Sequence, residues 1–183
     1  MPEIYKPAED SYFLIEVLQD KLKLKNHELK NLKFLEMGCG SGIILQFLKS
    51  IGVKNLFGID INPDAVKQCK TLGFKCIVSD LFNEIQKNEK FDVIIFNPPY
   101  LPENPKEPED SKLATTGGKK GSEIINEFLK QAKKHLKKHG KIFLLFSSFT
   151  KGIKWQGFKK KILAKKKLFF EELYVVELAV ELH

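Results

Sequence analysis

The chain has 183 residues, of which 43% are hydrophobic and 30% charged, and its formal net charge is +8. This composition excludes a disordered chain, and no apolar run approaches the roughly 20 residues that span a bilayer. Since the N-terminal sequence has no apolar signal segment, we expect one cytoplasmic domain over residues 1–183 and no membrane contact.

Strands and helices alternate along the first half of the chain, which predicts a parallel sheet covered by helices on both faces. An amphipathic helix over 9–23 comes first. The predicted elements that follow are a strand over 32–38, a helix over 42–50, a strand over 55–61, a helix over 62–72, a strand over 74–80, a short polar helix and a strand over 91–97.

The second half begins with a stretch over 98–120 that is rich in Pro, Gly and charge. A structureless loop of this length inside a compact domain is usually functional. The predicted elements after it are a helix over 122–138, a strand over 141–148, a short helix over 149–156 and strands over 158–164 and 173–182. The fold prediction is therefore α/β, with a seven-stranded, mostly parallel sheet, an antiparallel last strand and helices on both faces.

A glycine-rich segment closes the first strand and opens a helix. Its residues are Glu36, Met37, Gly38, Cys39, Gly40, Ser41 and Gly42. The glycines let a ligand approach the backbone without interference from Cβ atoms. The spacing is GxGxG, which differs from the GxGxxG of dinucleotide-binding folds. It resembles the first motif of Rossmann-like methyltransferases, in which the loop lies behind the amino-acid end of S-adenosyl-L-methionine.

Two further acidic residues lie at the tips of the next two strands. Asp60, with Ile61 after it, is placed to accept bonds from ribose hydroxyls. Asp80 is placed to bind the adenine amino group, with Leu81 donating a backbone N–H and Phe82 or a neighbour covering the ring. Each acid alone also fits a helix cap, but three acids at the tips of successive parallel strands meet at one sheet edge and favour a cofactor site.

The sequence Asn97-Pro98-Pro99-Tyr100 ends the fourth predicted strand. The prolines fix φ and remove two donors, so nearby carbonyls have no internal partner. The Asn97 side-chain oxygen and the Pro98 carbonyl are then free to accept both hydrogens of a substrate NH₂, while Tyr100 stacks on a flat group. This arrangement favours N-methylation, since it orients a weakly nucleophilic nitrogen for attack. The alternative is a purely structural role, in which the prolines form a turn that ends the strand.

Two other segments make the resemblance more specific. Tyr5-Lys6-Pro7-Ala8-Glu9-Asp10-Ser11 and the glycine-rich stretch over 117–123 resemble the HemK-like protein glutamine methyltransferases, in their short archaeal and eukaryotic branch. The resemblance covers nearly the whole chain. It implies that Tyr5, Pro7, Glu9, Asp10 and Ser11 fold over the cofactor and that Asn97 also contacts it. Glu9 and Asp10 fit equally well as acids in the first turn of a helix.

The resemblance also implies partners. The substrate would be the Gly-Gly-Gln loop of a class I translation release factor, whose amide NH₂ is planar like that of adenine. A small zinc-binding activator protein would pair with the strand Phe74–Ser79, with Cys76, Ile77 and Val78 at the interface or, alternatively, in the core.

Three other interpretations remain open from the residues alone. The charge favours nucleic-acid amine methylation slightly, but all 31 basic residues are lysine, so phosphate recognition by arginine is absent and nucleic-acid binding is not required. Protein lysine methylation and a non-enzymatic cofactor-binding module are the others. Cys39, Cys69 and Cys76 form no CxxC pair, and His135 and His139 lie in a lysine-rich helix end, so no metal site is predicted.

Overall fold

A computed structural model describes residues 4–23 and 26–181. The strands are β1 (Lys33–Met37), β2 (Asn55–Asp60), β3 (Lys75–Val78), β4 (Phe91–Phe96), β5 (Leu136–Ser147), β6 (Phe158–Lys167) and β7 (Glu172–Val180). The helices are α1 (Glu9–Lys21), α2 (Asn26–Leu29), α3 (Ile43–Ser50), α4 (Pro63–Thr71), α5 (Glu109–Thr115) and α6 (Glu123–Ala132). No helix in the described ranges is both long and apolar enough to cross a membrane.

The seven strands form one sheet in the order β3-β2-β1-β4-β5-β7-β6. Strands β1 to β5 are mutually parallel, and β7 runs antiparallel to both β5 and β6. The predicted seven-stranded α/β sheet with an antiparallel last strand is therefore confirmed. Because β3 pairs only with β2 among the described strands, it is one edge of the sheet, and β6 is the other.

Alternate side chains of the strands enter two separate cores, as the period of two along a strand requires. Phe34 packs on one face, beneath α1, α3 and α4, whereas Leu35 and Met37 pack on the other face with α6. All three side chains are buried, as expected for a strand that is covered on both faces.

Two predicted helices are wrong. The expected polar helix after β3 is a turn over 81–85. The stretch 149–156 is irregular, because Gly152 and Gln156 adopt positive φ and Lys151 N–H donates to the Lys120 carbonyl, 2.9 Å away. Conversely, the loop over 98–120 is not structureless, since it contains α5 and a bridge between Leu101 and Thr116.

The helix predicted over 122–138 ends at Ala132, and a 3-10 turn over Lys133–His135 leads directly into β5. His135 is not solvated: it is buried, its Nδ1 lies 2.9 Å from the Glu89 carbonyl, and its ring stacks on Phe82 at 4.6 Å between centroids. Strand β6 is longer than predicted, reaching Lys167, and the last predicted strand ended at Leu182, which lies outside the described residues.

Candidate active site

A cavity of about 380 Å³ opens at the carboxyl edge of the parallel strands, where the turns after β1, β2, β3 and β4 meet. Of the residues predicted to form the site, the following line this cavity: Tyr5, Ser11, Glu36, Gly38, Cys39, Gly40, Ser41, Asp60, Ile61, Asp80, Leu81, Asn97 and Pro99. The fold thus brings together segments from the N-terminus, the glycine-rich turn and the Asn-Pro-Pro-Tyr sequence.

The cavity wall is acidic although the whole chain is basic. Its charged residues are Glu36, Asp60, Asp80, Glu123 and Glu127, and no lysine or histidine of the described residues lines it. Carboxylates attract cations at short range and repel anions. The wall is therefore complementary to a positively charged ligand and is unsuited to a pyrophosphate.

Asp60 connects the glycine-rich turn to the end of β2. Its Oδ2 accepts the N–H of Gly40 at 2.7 Å, and its Oδ1 accepts the N–H of Asn62 at 2.8 Å. Burial raises the pKa of Asp60, and the two backbone donors oppose that rise. Since each carboxylate oxygen has two lone pairs, both oxygens keep capacity to accept a hydroxyl from a ligand.

Glu36 lines the cavity and is only 3% exposed. Its Oε2 has no hydrogen-bond partner in the described part of the chain. Burial is the main reason that the pKa of this carboxyl is raised well above its ordinary value. A buried carboxylate without a partner is costly, so this oxygen suits a ligand that brings a positive donor.

Asn97 comes directly after β4, and its Oδ1 is the second orphaned acceptor on the cavity wall. This atom is buried and has no partner among the described residues. An unmade bond at a buried amide oxygen costs about 1–3 kcal/mol, so the position favours a ligand or substrate that donates to it.

Tyr100 does not line the cavity and so does not offer the predicted stacking surface. Its hydroxyl donates to Asp10 Oδ2 at 3.3 Å, and the hydroxyl of Tyr5 donates to the same carboxylate at 2.9 Å. Burial, followed by the charges of Asp10 and Glu171, raises the pKa of Tyr100. The tyrosine therefore stays protonated and fixes the motif to the start of α1.

Five other predicted site residues also lie away from the cavity wall. These are Pro7, Glu9, Asp10, Gly42 and Pro98. Asp10 acts behind the wall through Tyr5 and Tyr100, and Gly42 faces Cys69 and Leu72 beneath the turn. Glu9 is exposed in the first turn of α1, as expected for an acid that stabilises a helix start.

Leu81 supports the cavity through an uncommon backbone conformation. Its φ is +49°, and the Ser79 hydroxyl donates to its carbonyl at 2.9 Å. A non-glycine residue with positive φ often marks a functional site. Its neighbour Phe82 packs in the second core and stacks on His135, so it does not line the cavity, whereas Leu81 and Ile61 do.

Several residues that line the cavity were not predicted from the sequence. They include Leu113 and Ala114 of α5, and Glu123, Ile124 and Glu127 of α6. One helix face carries Glu123, Ile124 and Glu127, as their spacing in the sequence predicts. That spacing would have identified them as site residues only if this face had been known to line the cavity. No sequence signal identified Leu113 and Ala114, because helix α5 itself was not predicted.

Two glycines of the stretch 117–123 contact the backbone of the Asn-Pro-Pro-Tyr sequence. A Cβ at Gly117 would lie 2.6 Å from the Pro99 carbonyl oxygen, and a Cβ at Gly121 would lie 2.3 Å from that of Tyr100. Thr150 adds a hydroxyl that donates to the Tyr100 carbonyl at 2.8 Å. The glycines therefore allow this loop to fix the course of the motif.

Replacing Gly121 by alanine is expected to reduce turnover at this cavity by about a hundredfold, because an ångström-scale displacement of the motif misaligns the substrate. Gly121 has φ +79°, so alanine adds backbone strain as well as the contact with Tyr100. The matched control is Gly73→Ala, where φ is +83° and a Cβ would meet nothing within 4 Å. Steady-state kinetics on both variants separates the two effects; equal losses would contradict the steric explanation.

Comparison with known sequences gives matches over most of the chain. The family model described as "Methyltransferase small domain" matches residues 9–167. A protein of Methanocaldococcus jannaschii, provisionally named a protein N5-glutamine methyltransferase, is 41% identical over 96% of this chain and 91% of that protein. The catalytic subunit of the eRF1 methyltransferase of Schizosaccharomyces pombe is 32% identical over 78% of this chain and 72% of that protein.

Solved structures share the fold. The structure of the E. cuniculi Mtq2–Trm112 complex, which methylates the eRF1 translation termination factor, matches with a TM-score of 0.76 and 24% identity, over 99% of this chain and 100% of that chain. The 16S rRNA N2 G1207 methyltransferase of T. thermophilus, in complex with AdoMet and guanosine, matches with a TM-score of 0.70 and 20% identity, over 96% of this chain and 44% of that chain.

Proposed function

This chain belongs to the methyltransferase small domain family, among the HemK-like protein glutamine methyltransferases, and we propose that it methylates the side-chain amide of a release-factor glutamine. The methyl donor is S-adenosyl-L-methionine, and the glutamine is that of the Gly-Gly-Gln motif. The observation that carries the proposal is the orphaned Asn97 Oδ1 at the cavity wall. It is an acceptor that a planar NH₂ group satisfies.

The cavity residues fit S-adenosyl-L-methionine, which supplies an electrophilic methyl group on a sulfonium when bound. Glu36 Oε2 is available to accept from the ammonium of its amino-acid part, and Asp60 from the ribose hydroxyls. Asp80 and Leu81, which both line the cavity, are proposed to bind the adenine. The acidic wall favours this cation, since both the sulfonium and the ammonium are positive.

The substrate amide is held by acceptors rather than activated by a base. Asn97 Oδ1 accepts a hydrogen of the NH₂ group, which keeps electron density on nitrogen and directs its lone pair. The Pro98 carbonyl, predicted to accept the other hydrogen, belongs to a residue that does not line the cavity, so it has no role in this proposal. One N–H proton leaves to solvent after the N–C bond forms. Tyr100 holds the motif in place through Asp10 and takes no proton.

The proposed partner is the small zinc-binding activator protein, joined to this chain as a heterodimer at the β3 edge. Val78 is exposed there, whereas Ile77 is half-buried and Cys76 is buried, so Cys76 is removed from the list of interface side chains. Backbone pairing along β3 suits such a partner, because an edge strand presents N–H and C=O groups that have no strand beside them. The complex would be cytoplasmic.

Methyl transfer with radiolabelled cofactor tests the proposal. The acceptors are the cognate release factor and its Gln→Ala variant in the Gly-Gly-Gln motif, each with and without the activator, beside RNA, DNA and lysine-containing protein. We expect label that requires the glutamine. Label on nucleic acid or lysine instead would overturn the substrate while leaving the family unchanged.

A further inference from the structure

We infer that Cys39, Cys69 and Cys76 form a binding site for one thiophilic metal ion behind the glycine-rich turn. The three sulfur atoms all lie within 4.8 Å of one another, and all three side chains are buried. They are the only cysteines of the 183-residue chain. They reach this point from three elements: the turn after β1, helix α4 and strand β3.

Two glycines make room for the sulfur atoms. Gly58 lies in the middle of β2, where a Cβ would be 2.7 Å from Cys76 Sγ and 3.2 Å from Cys39 Cβ. At Gly42, a Cβ would be 3.0 Å from Cys69 Sγ. Glycine inside a strand weakens the strand, and close approach of another group is the usual reason for it. Here the approaching groups are the thiols.

The separation of the sulfur atoms fits a single ion. With metal–sulfur bonds of about 2.3 Å, three sulfur atoms in a plane around one ion lie about 4.0 Å apart, which is inside the observed limit. Thiolates are soft ligands and select Cu(I) or Zn(II) over hard cations. Since only sulfur ligands converge here among the described residues, a three-coordinate Cu(I) fits better than a tetrahedral Zn(II).

Metal binding would link the glycine-rich turn of the cavity wall to helix α4 and strand β3, which pack behind it. Cys39 lies between Gly38 and Gly40 on the cavity wall. The Cys69 thiol donates a weak hydrogen bond to the Gly40 carbonyl oxygen, with 3.6 Å between the sulfur and oxygen atoms. The ion displaces the thiol protons to solvent and joins the turn directly to α4 and β3. This inference concerns the three thiols of this chain and does not depend on the proposed substrate.

The test is an anaerobic titration of the reduced, chelator-treated full chain with Cu(I), against a competing chelator. We expect one equivalent to bind, a thiolate-to-metal charge-transfer absorption to grow in proportion, and the thermal midpoint to rise because the ion binds the folded state. A parallel titration uses Zn(II), which is expected to bind through the same thiols but more weakly.

Cys69→Ala is expected to weaken Cu(I) binding by at least about a hundredfold, since two thiols cannot complete the site. The matched control is Val66→Ala, a buried residue on the same helix that loses core volume and keeps every thiol, so it should bind like the original chain. Circular dichroism checks that both variants fold. Thiols that serve only as small core residues would give no charge-transfer band; that outcome, or equal binding by Cys69→Ala, overturns the inference.

Discussion

Asn97→Ala is expected to lower kcat for methyl transfer by about 10²–10³, the loss seen when one preorganised hydrogen-bonding group of an active site is removed. The cofactor Kd should change by less than about tenfold, because Asp60 and Glu36 remain in place. Folding stability should hardly fall, since the oxygen that is removed has no partner among the described residues. Single-turnover transfer and cofactor titration measure the two quantities separately.

A second variant and a control make this result specific. Asn97→Asp keeps an acceptor oxygen at the same place, so it should retain more activity than Asn97→Ala. Asn83→Ala removes an exposed amide from the turn after β3, away from the cavity wall, and should leave kcat unchanged. If Asn97→Ala lost cofactor affinity and activity to the same extent, Asn97 would hold the cofactor rather than the substrate amide.

The sequence correctly predicted the edge of the sheet at which the site lies, because the carboxyl ends of parallel strands all meet at one edge of a sheet. Apolar runs such as Phe91–Phe96 identified the buried strands, and the residues at the carboxyl end of each strand then fell at the same edge. The positions of Glu36, Asp60 and Asn97 on one cavity therefore follow from periodicity and strand direction alone. Which ligand atom each residue contacts stays a prediction.

Tertiary contacts decided the places where prediction failed. The lysine-rich stretch after Ala132 has a helical, solvated pattern, yet Leu136 pairs with Phe91 and starts β5, because β4 needs a partner along its whole length. His135 is then buried against Phe82. Local propensity is weak beside such packing. The three thiols converge for the same reason: spacing along the chain does not record which helix packs behind which strand.

Glu36→Gln is expected to have opposite effects on stability and on cofactor binding. Burial raises the pKa of Glu36 in the folded chain above its ordinary value of 4.5, so the folded state binds this proton more tightly than the unfolded state does. As pH rises from that value toward the raised pKa, the free energy of unfolding falls. Glutamine has no such cost, so the variant should unfold at a higher temperature near neutral pH, by roughly 3 °C or more. The difference should vanish at acid pH.

The same substitution should weaken binding of S-adenosyl-L-methionine by about 10–100-fold, since a hydrogen bond to a charged group contributes about 1.5–3 kcal/mol. Glu127→Gln is the matched control: Glu127 lines the same cavity, but it is exposed and its pKa is lowered by Lys130. Glu127→Gln should change the free energy of unfolding only slightly, and it should lower it, whereas Glu36→Gln should raise it. Unfolding curves that differ equally at every pH, or unchanged cofactor affinity, would show that Glu36 is only a structural carboxyl. A gain in stability with a loss of affinity would instead show that the free chain keeps a costly buried charge for its ligand.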